Sequence, residues 1–249
     1  MDVNKYRTIC EKVFSMNIIL AQIKIKKNYK KNLHKIMKIT KSNKFDILVF
    51  PELSLTSYNL KKVIKIDKST IFKPLKEIQN IINDTQIVIV GTIVYKNNKI
   101  YNASAIISSK KIEYYFKNTL TEYDEKYFKS GTKKFIFKFK NNKIGLLICR
   151  DQDNVKLINN YKKEKCDILL HQSAHYYNKD TAIKKLDKNI AMPIVRAIDS
   201  NSLFCKVNSV GKNKNKISLG SSMIIDTQGC VLRKANQFKE EILKLKIKD

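Results

Sequence analysis

Three residues, each placed just past an apolar run, have types that could cooperate in acyl transfer. Glu52 lies in VFPELSLTSY (49–58), directly after the run FDILVF and Pro51. A carboxylate held at the rim of a sheet can act as a general base; the bland alternative is a solvated loop glutamate. Lys117 closes the aromatic stretch EYYFK, with Tyr115, Phe116 and Leu120 around it. A partly desolvated ammonium there can stabilise a developing oxyanion, and Glu125 stands a short way downstream as a charge partner. The alternative is one more surface lysine. Cys149 ends KIGLLIC and is followed at once by the polar RDQDN. This is the place of a nucleophile on a sharp strand-to-helix elbow, where a helix N-terminus is expected to lower the thiol pKa. A small buried hydrophobe is the competing reading, and the polar run argues against it. Cys205, inside SLFCKV, and Cys166, at the start of an apolar run, read as core.

Other chemistries find little support. His171 and His175 in LLHQSAHYY follow a strand and are candidates for lining a pocket, with solvated loop histidines as the alternative; His34 falls on a lysine-rich helix. No Cys–His dyad is evident, and three scattered histidines make no metal cluster. The five cysteines (10, 149, 166, 205 and 230) are odd in number, widely spaced and free of CxxC pairs, which reads as reduced thiols. Neither GxxxxGK[ST] nor GxGxxG occurs, so no nucleotide cofactor is expected.

The elements that must position these residues follow from hydrophobic period. MNIILAQIKI from Met16 reads as a first buried strand, leaving residues 1–15 as an appendage. Helices are expected near 28–43, 70–84, 153–163 and 181–200. Strands are expected at 45–50, 86–95, 100–107, 111–117, 134–139, 143–149, 167–170, 202–209, 217–226 and 230–234, with Asn97-Asn98 as a tight turn. The mixture of βα units and hairpins, without a linker, predicts helix-covered sheets in a single domain.

The 249 residues carry 43% hydrophobic and 29% charged side chains, enough to bury a core. No apolar run reaches membrane-spanning length, and the charged first residues lack a signal-peptide core, so a cytoplasmic location is expected. The net charge of +28 invites a nucleic-acid reading. Only four of the fifty basic residues are arginine, and lysine is spread along the whole chain. Arginine is the residue suited to gripping phosphate and guanine. Lysine spread in this way reads as a solvated surface, with no specific nucleic-acid partner.

Taken in order, these segments resemble the nitrilase superfamily of carbon–nitrogen hydrolases. The resemblance runs from Met16 to about Leu245, through MNIILAQIKI, FDILVFPELSLTSY, YFKNTLTEYDEKYFKSG, KIGLLICRDQDN, CDILLHQSAHYY, VRAIDSNSLFCKVNSVG and LGSSMIIDTQGCVL. It implies a four-layer α-β-β-α sandwich over residues 16–249, pairing as a homodimer or higher homo-oligomer, with no cofactor. It also implies a Glu52–Lys117–Cys149 triad that forms a thioester. Lys117 and the Arg150 backbone N–H would hold the oxyanion, and Glu125 would position Lys117 and substrate. Ser173 and His175 would border the pocket. The chain departs from the usual pattern at Gln152-Asp153-Asn154 and at His171-Gln172. The implied substrate is a small linear amide or carbamoyl compound. The alternatives are a glutaminase unit feeding ammonia to a synthetase, or a non-catalytic basic binding module.

Overall fold

Alternation along the strands decides the layering. The computed structural model describes residues 16–58, 61, 68–213 and 215–247; the expected appendage at 1–15, with Cys10, lies outside them. β1 (Met16–Gln22) turns Ile18 and Leu20 to one face and Ile19 and Ala21 to the other, and both faces are buried. Such a strand needs an apolar layer on each side.

Two six-stranded sheets supply those layers among the described residues. The first runs β15 (Glu241–Ile247), β1, β2 (Ile47–Val49), β3 (Ile87–Lys96), β4 (Lys99–Ser108), β5 (Ile112–Phe116). The second runs β14 (Val231–Lys234), β13 (Met223–Ile225), β10 (Leu203–Asn208), β8 (Ile168–Ser173), β7 (Asn142–Ile148), β6 (Ile136–Phe139). Ile18, Leu20, Val49, Ile89, Ile148, Leu170 and Val207 fill the space between them. Helices Tyr29–Ser42 and Lys68–Gln79 cover the first sheet, setting Leu33, Ile36, Leu75 and Ile78 on Ile19, Leu48 and Val88. Helices Val155–Lys163 and Leu186–Ser200 cover the second, setting Leu157, Ile158 and Ala197 on Leu147, Leu169 and Phe204. This is the expected α-β-β-α sandwich. Each fully buried Leu or Ile contributes roughly 1.5–3 kcal/mol, so the three apolar layers dominate its stability.

The central strands β1, β2 and β3 are parallel, as are β7, β8 and β10. In each set the connections between parallel neighbours are made by the covering helices, so the loops that leave these strands gather at their carboxyl ends. Asn97 and Asn98 both take positive φ and close the β3–β4 hairpin between Lys96 and Lys99, as their types predict.

Three expectations are corrected. The helix expected at 181–200 is two, Lys179–Lys184 and Leu186–Ser200. The break falls where the chain changes support, from a small sheet of β11 (Val210–Asn213), β12 (Lys216–Leu219) and β9 (Tyr177–Asn178) to the second large sheet. The strand expected at 217–226 is β12 and β13, parted by Gly220 and Ser221 at φ 71° and 58°; two successive left-handed residues carry the chain from one sheet to another. β15 was not expected. Its alternating lysines hide a buried Leu243, and it pairs with β1 along its whole length. Exposed Lys244 and Lys246 suit an edge strand.

Candidate active site

Glu52, Lys117 and Cys149 follow β2, β5 and β7, and the sandwich brings their loops together. Glu52 sits on a tight loop that crosses β3 at Gly91. A Cβ at Gly91 would stand 2.2 Å from the Leu53 nitrogen, so only glycine allows this approach. The Glu52 carboxylate is buried. Its Oε1 accepts from Lys117 Nζ at 2.8 Å and from Asn102 Nδ2 at 2.8 Å; its Oε2 accepts from the Ala174 N–H at 3.1 Å.

Lys117 is fully buried and donates a second bond, 2.7 Å, to Asp124 Oδ2. Burial alone would depress its pKa. The nearby Glu52, Cys149, Tyr58 and Asp124 groups outweigh that and hold the ammonium well above its usual range. Asp124 opposes burial in the same way and stays low, through Lys117, the Thr121 N–H and the Tyr58 hydroxyl, which donates to Oδ1 at 3.0 Å.

Cys149 takes φ 48°, a left-handed conformation that ends β7 abruptly and starts a 3₁₀ turn, Cys149–Asp153. The strained elbow is as expected. The expected acidic thiol is not found. Burial, then the Glu52 carboxylate, push the Cys149 pKa well up, with Lys117 opposing. The α-helix begins only at Val155, too far on to reverse this. The resting thiol is therefore protonated, and it lies within the field of the Glu52 carboxylate that can take its proton.

Asp151 ties the elbow to the lysine loop. Its Oδ1 accepts from the N–H groups of Asn118 (3.0 Å) and Thr119 (2.7 Å), and its Oδ2 from the Tyr115 hydroxyl (2.7 Å) and the Ile148 N–H (2.9 Å). Burial still raises its pKa to about 6, against the bonds from Tyr115, Thr119 and Ile148 and the charge of Lys117. Gln172 spans the sheets, accepting from Ser104 Oγ and donating to the Phe50 carbonyl. His171 Nε2 donates to the Cys149 carbonyl at 2.9 Å; burial, then Lys206, lower its pKa to about 3, so it is neutral.

The remaining expected residues fare differently. Glu125 is exposed, and its neighbour Asp124 holds Lys117 instead. The one-turn helix Glu122–Glu125 explains the exchange. Thr121 caps it through a box with Asp124, which fixes the Asp124 side chain inward and leaves Glu125 a rotation away. The T-x-x-D spacing was readable in TEYD. Ser173 is fully buried and gives its hydroxyl to the Val207 carbonyl at 3.1 Å, so Ala174 and His175 form that part of the wall. His175 is a lining residue whose N–H donates to Asn208 Oδ1, and burial, then Lys206, hold its ring neutral. Arg150 is exposed and lines the mouth. Asn102 and Lys206 carried no sequence signal of their own. Among the described residues no His, Cys, Asp or Glu cluster suits a metal ion, and no helix is long and apolar enough to cross a membrane.

A cavity of about 760 Å³ opens over Cys149, with Tyr58, Thr121, Tyr123 and Tyr177 in its wall. It offers room for a small molecule whose reacting carbon would meet a thiol, a carboxylate and an ammonium together.

Known proteins share this arrangement of chain. A carbon–nitrogen hydrolase family model matches residues 18–248. A glutamine-dependent NAD(+) synthetase of Acinetobacter baylyi is 28% identical over 218 residues, 81% of this chain and 38% of its own. The curated relatives matched are spanned over only 37–41% of their length. Among solved structures, the glutamine-dependent NAD+ synthetase of Acinetobacter baumannii superposes with a TM-score of 0.82 at 20% identity, over 92% of this chain and 45% of that one. An amidase from Nesterenkonia sp. superposes with a TM-score of 0.81 at 15% identity, over 93% and 89%. With a family model that matches nearly its whole length, the chain belongs to the carbon–nitrogen hydrolases and is an enzyme of that family.

Proposed function

We propose that the chain hydrolyses a small linear amide or carbamoyl compound through a thioester on Cys149. One observation carries the reading: the buried Glu52 carboxylate bonds Lys117 and the Ala174 N–H while standing beside a protonated thiol. In the first half-reaction Cys149 Sγ attacks the carbonyl carbon as its proton passes to Glu52. Lys117 and the Arg150 N–H hold the oxyanion. The tetrahedral adduct collapses, the C–N bond breaks, and Glu52 returns the proton to the departing nitrogen, which leaves as ammonia. In the second half-reaction Glu52 takes a proton from water, the hydroxide attacks the thioester, and the thiol recovers its proton as the acid leaves. Asp124 fixes the Lys117 ammonium, and Asp151 sets the elbow against the lysine loop.

The test is single-turnover kinetics with intact mass on Glu52→Gln, using the most reactive member of a panel of amides, ureas and nitriles. Gln keeps the shape but accepts no proton, so both half-reactions should slow and an acyl adduct on Cys149 should become visible. Turnover equal to the parent enzyme would remove Glu52 from the mechanism.

A second reading has its own support. The curated relatives are named as glutamine-dependent synthetases, which favours glutamine as substrate and an ammonia-consuming partner. Ammonia release from glutamine, compared with that from simple amides, separates the two.

A further inference from the structure

His171 takes no part in the two half-reactions, yet its ring bonds the backbone of the nucleophile. β8 sets Leu170 and Gln172 between the two large sheets. It therefore turns His171 to the helix-covered face, where the buried ring packs on Phe204 at 5.6 Å between centroids. Lys206 is its cross-strand partner on β10. The ring Nε2 lies 2.9 Å from the Cys149 carbonyl oxygen. A carbonyl only accepts, so the proton of the neutral ring is on Nε2. Nδ1 is then a bare acceptor, buried and without a hydrogen-bond partner. Burial, then the Lys206 charge, keep a second proton off the ring. An unpaired buried nitrogen costs stability, and an apolar side chain would fill the same space without that cost. What histidine adds at this position is the single bond to Cys149.

That bond falls on the peptide unit joining Cys149 to Arg150. The unit is planar and trans, so its N–H, which belongs to Arg150, points opposite to its C=O. This N–H lies in the first turn of the 3₁₀ segment Cys149–Asp153, whose opening N–H groups the turn itself does not satisfy. Cys149 at φ 48° is in a sparsely populated conformation that only its surroundings can hold. Asp151 secures the strand side of the elbow through the Ile148 N–H at 2.9 Å, and His171 secures the side beyond the nucleophile.

We propose that His171 is a positioning residue: by holding the Cys149 carbonyl it fixes the plane of the Cys149–Arg150 peptide and aims the Arg150 N–H at the oxygen of the reacting carbonyl group. The same bond polarises the peptide unit and makes its N–H a stronger donor. Lys206, beside the ring, disfavours a proton on Nδ1 and so keeps it on the nitrogen that holds Cys149. This role rests on the thioester reading, in which the Arg150 N–H holds the oxyanion, and it accounts for how that donor is kept in place.

The experiment separates a step that makes an oxyanion from one that does not. Amide hydrolysis passes through an oxyanion. Alkylation of Cys149 by iodoacetamide displaces iodide from a CH₂ carbon and makes none. His171→Leu and His171→Met both remove the donor, and making the two keeps one poorly packed side chain from deciding the result. His171→Gln restores an N–H near the place of Nε2. In the Leu and Met variants kcat for amides should fall about 10–100-fold with KM little changed, short of the roughly 10²–10³-fold cost of losing an oxyanion donor outright. Alkylation of Cys149, followed by peptide mapping, should keep the rate of the parent enzyme, and His171→Gln should recover most of kcat.

Butanal gives the same comparison without a C–N bond. Cys149 Sγ adds to its carbonyl carbon, the thiol proton passes to Glu52, and the oxygen rests as an oxyanion among the same donors. Titration with carbonyl-labelled butanal, read by carbon-13 NMR, should show tighter adducts in the parent and His171→Gln than in the Leu and Met variants. That order upholds the positioning role even where no amide is hydrolysed, an outcome that counts against the hydrolytic reading alone. Leu and Met variants that hydrolyse amides like the parent would overturn the positioning role while the hydrolytic reading stands. Hydrolysis and alkylation falling together, or a Gln variant no better than the other two, would reduce His171 to a packing residue and overturn it as well.

Discussion

Lys117 and Lys206 are both fully buried, one at the end of the first sheet and one within the second, and their surroundings are opposite. Lys117 lies between the carboxylates of Glu52 and Asp124, and its pKa is held up. Lys206 sits on β10 opposite His171, and its Nζ donates to the Asn189 carbonyl at 2.7 Å. No carboxylate pairs with it among the described residues. Burial lowers its pKa to about 8, with Cys149 opposing. Burial alone therefore does not make a catalytic cation. Burial weakens an ammonium's hold on its proton, and only where the fold supplies opposite charge, as at the lysine beside the thiol, is that hold strengthened.

The largest expected effect breaks this comparison at its stronger side. Lys117→Met should lower kcat by roughly 10²–10³-fold, as loss of an oxyanion donor does. It should also cost on the order of 3–5 kcal/mol of stability, because Glu52 and Asp124 are left buried against each other. Lys206→Met removes a cation that has no acid to strand, and should leave stability unchanged or raise it. Thermal melts and denaturant titrations of the pair decide the matter; equal destabilisation would mean that Lys206 has a counter-charge in solution.

A smaller effect sharpens the contrast through pH. The Lys206 pKa is about 8 in the folded chain and near 10.5 unfolded. Between those values the unfolded chain binds more protons, so this group makes stability rise as pH rises from 8 to 10.5. Lys117 has the opposite sign: its contribution is full below the unfolded pKa and is lost as pH climbs through the raised folded value. Stability measured against pH for the parent chain and Lys206→Met should differ by a slope confined to that window. Superimposable profiles would refute a depressed Lys206.

The smallest effects compare adjacent acids. Asp124→Asn removes a partner of Lys117 and should lower kcat/KM about tenfold, with a loss of roughly 1–3 kcal/mol. Glu125→Gln, on the exposed side of the same turn, should stay within about twofold in activity and 0.5 kcal/mol in stability. The reverse ranking would restore the role that the resemblance assigned to Glu125.

Much of this was legible along the chain. The layers follow from period-two alternation, which is local and survives a composition rich in lysine. Lys117 could be singled out only by its aromatic flanks and its order between Glu52 and Cys149. Asp124 was missed for a geometric reason. Adjacent residues on a helical turn point about 100° apart, and the cap at Thr121, not the residue type, chose which acid faces inward. β15 was missed because Lys244 and Lys246 interrupt its apolar residues, and only pairing with β1 gives the strand its reason to form.

By itself the sequence determined the alternating strands, the order of the three reactive residues and the break after Cys149, since each depends on neighbours within a few positions. The tertiary structure decided what those residues are as acids and bases. The carboxylate, the ammonium and the thiol are far apart in the chain, and their pKa values are set by burial and by one another's fields. Those exist only once the two sheets have closed over them.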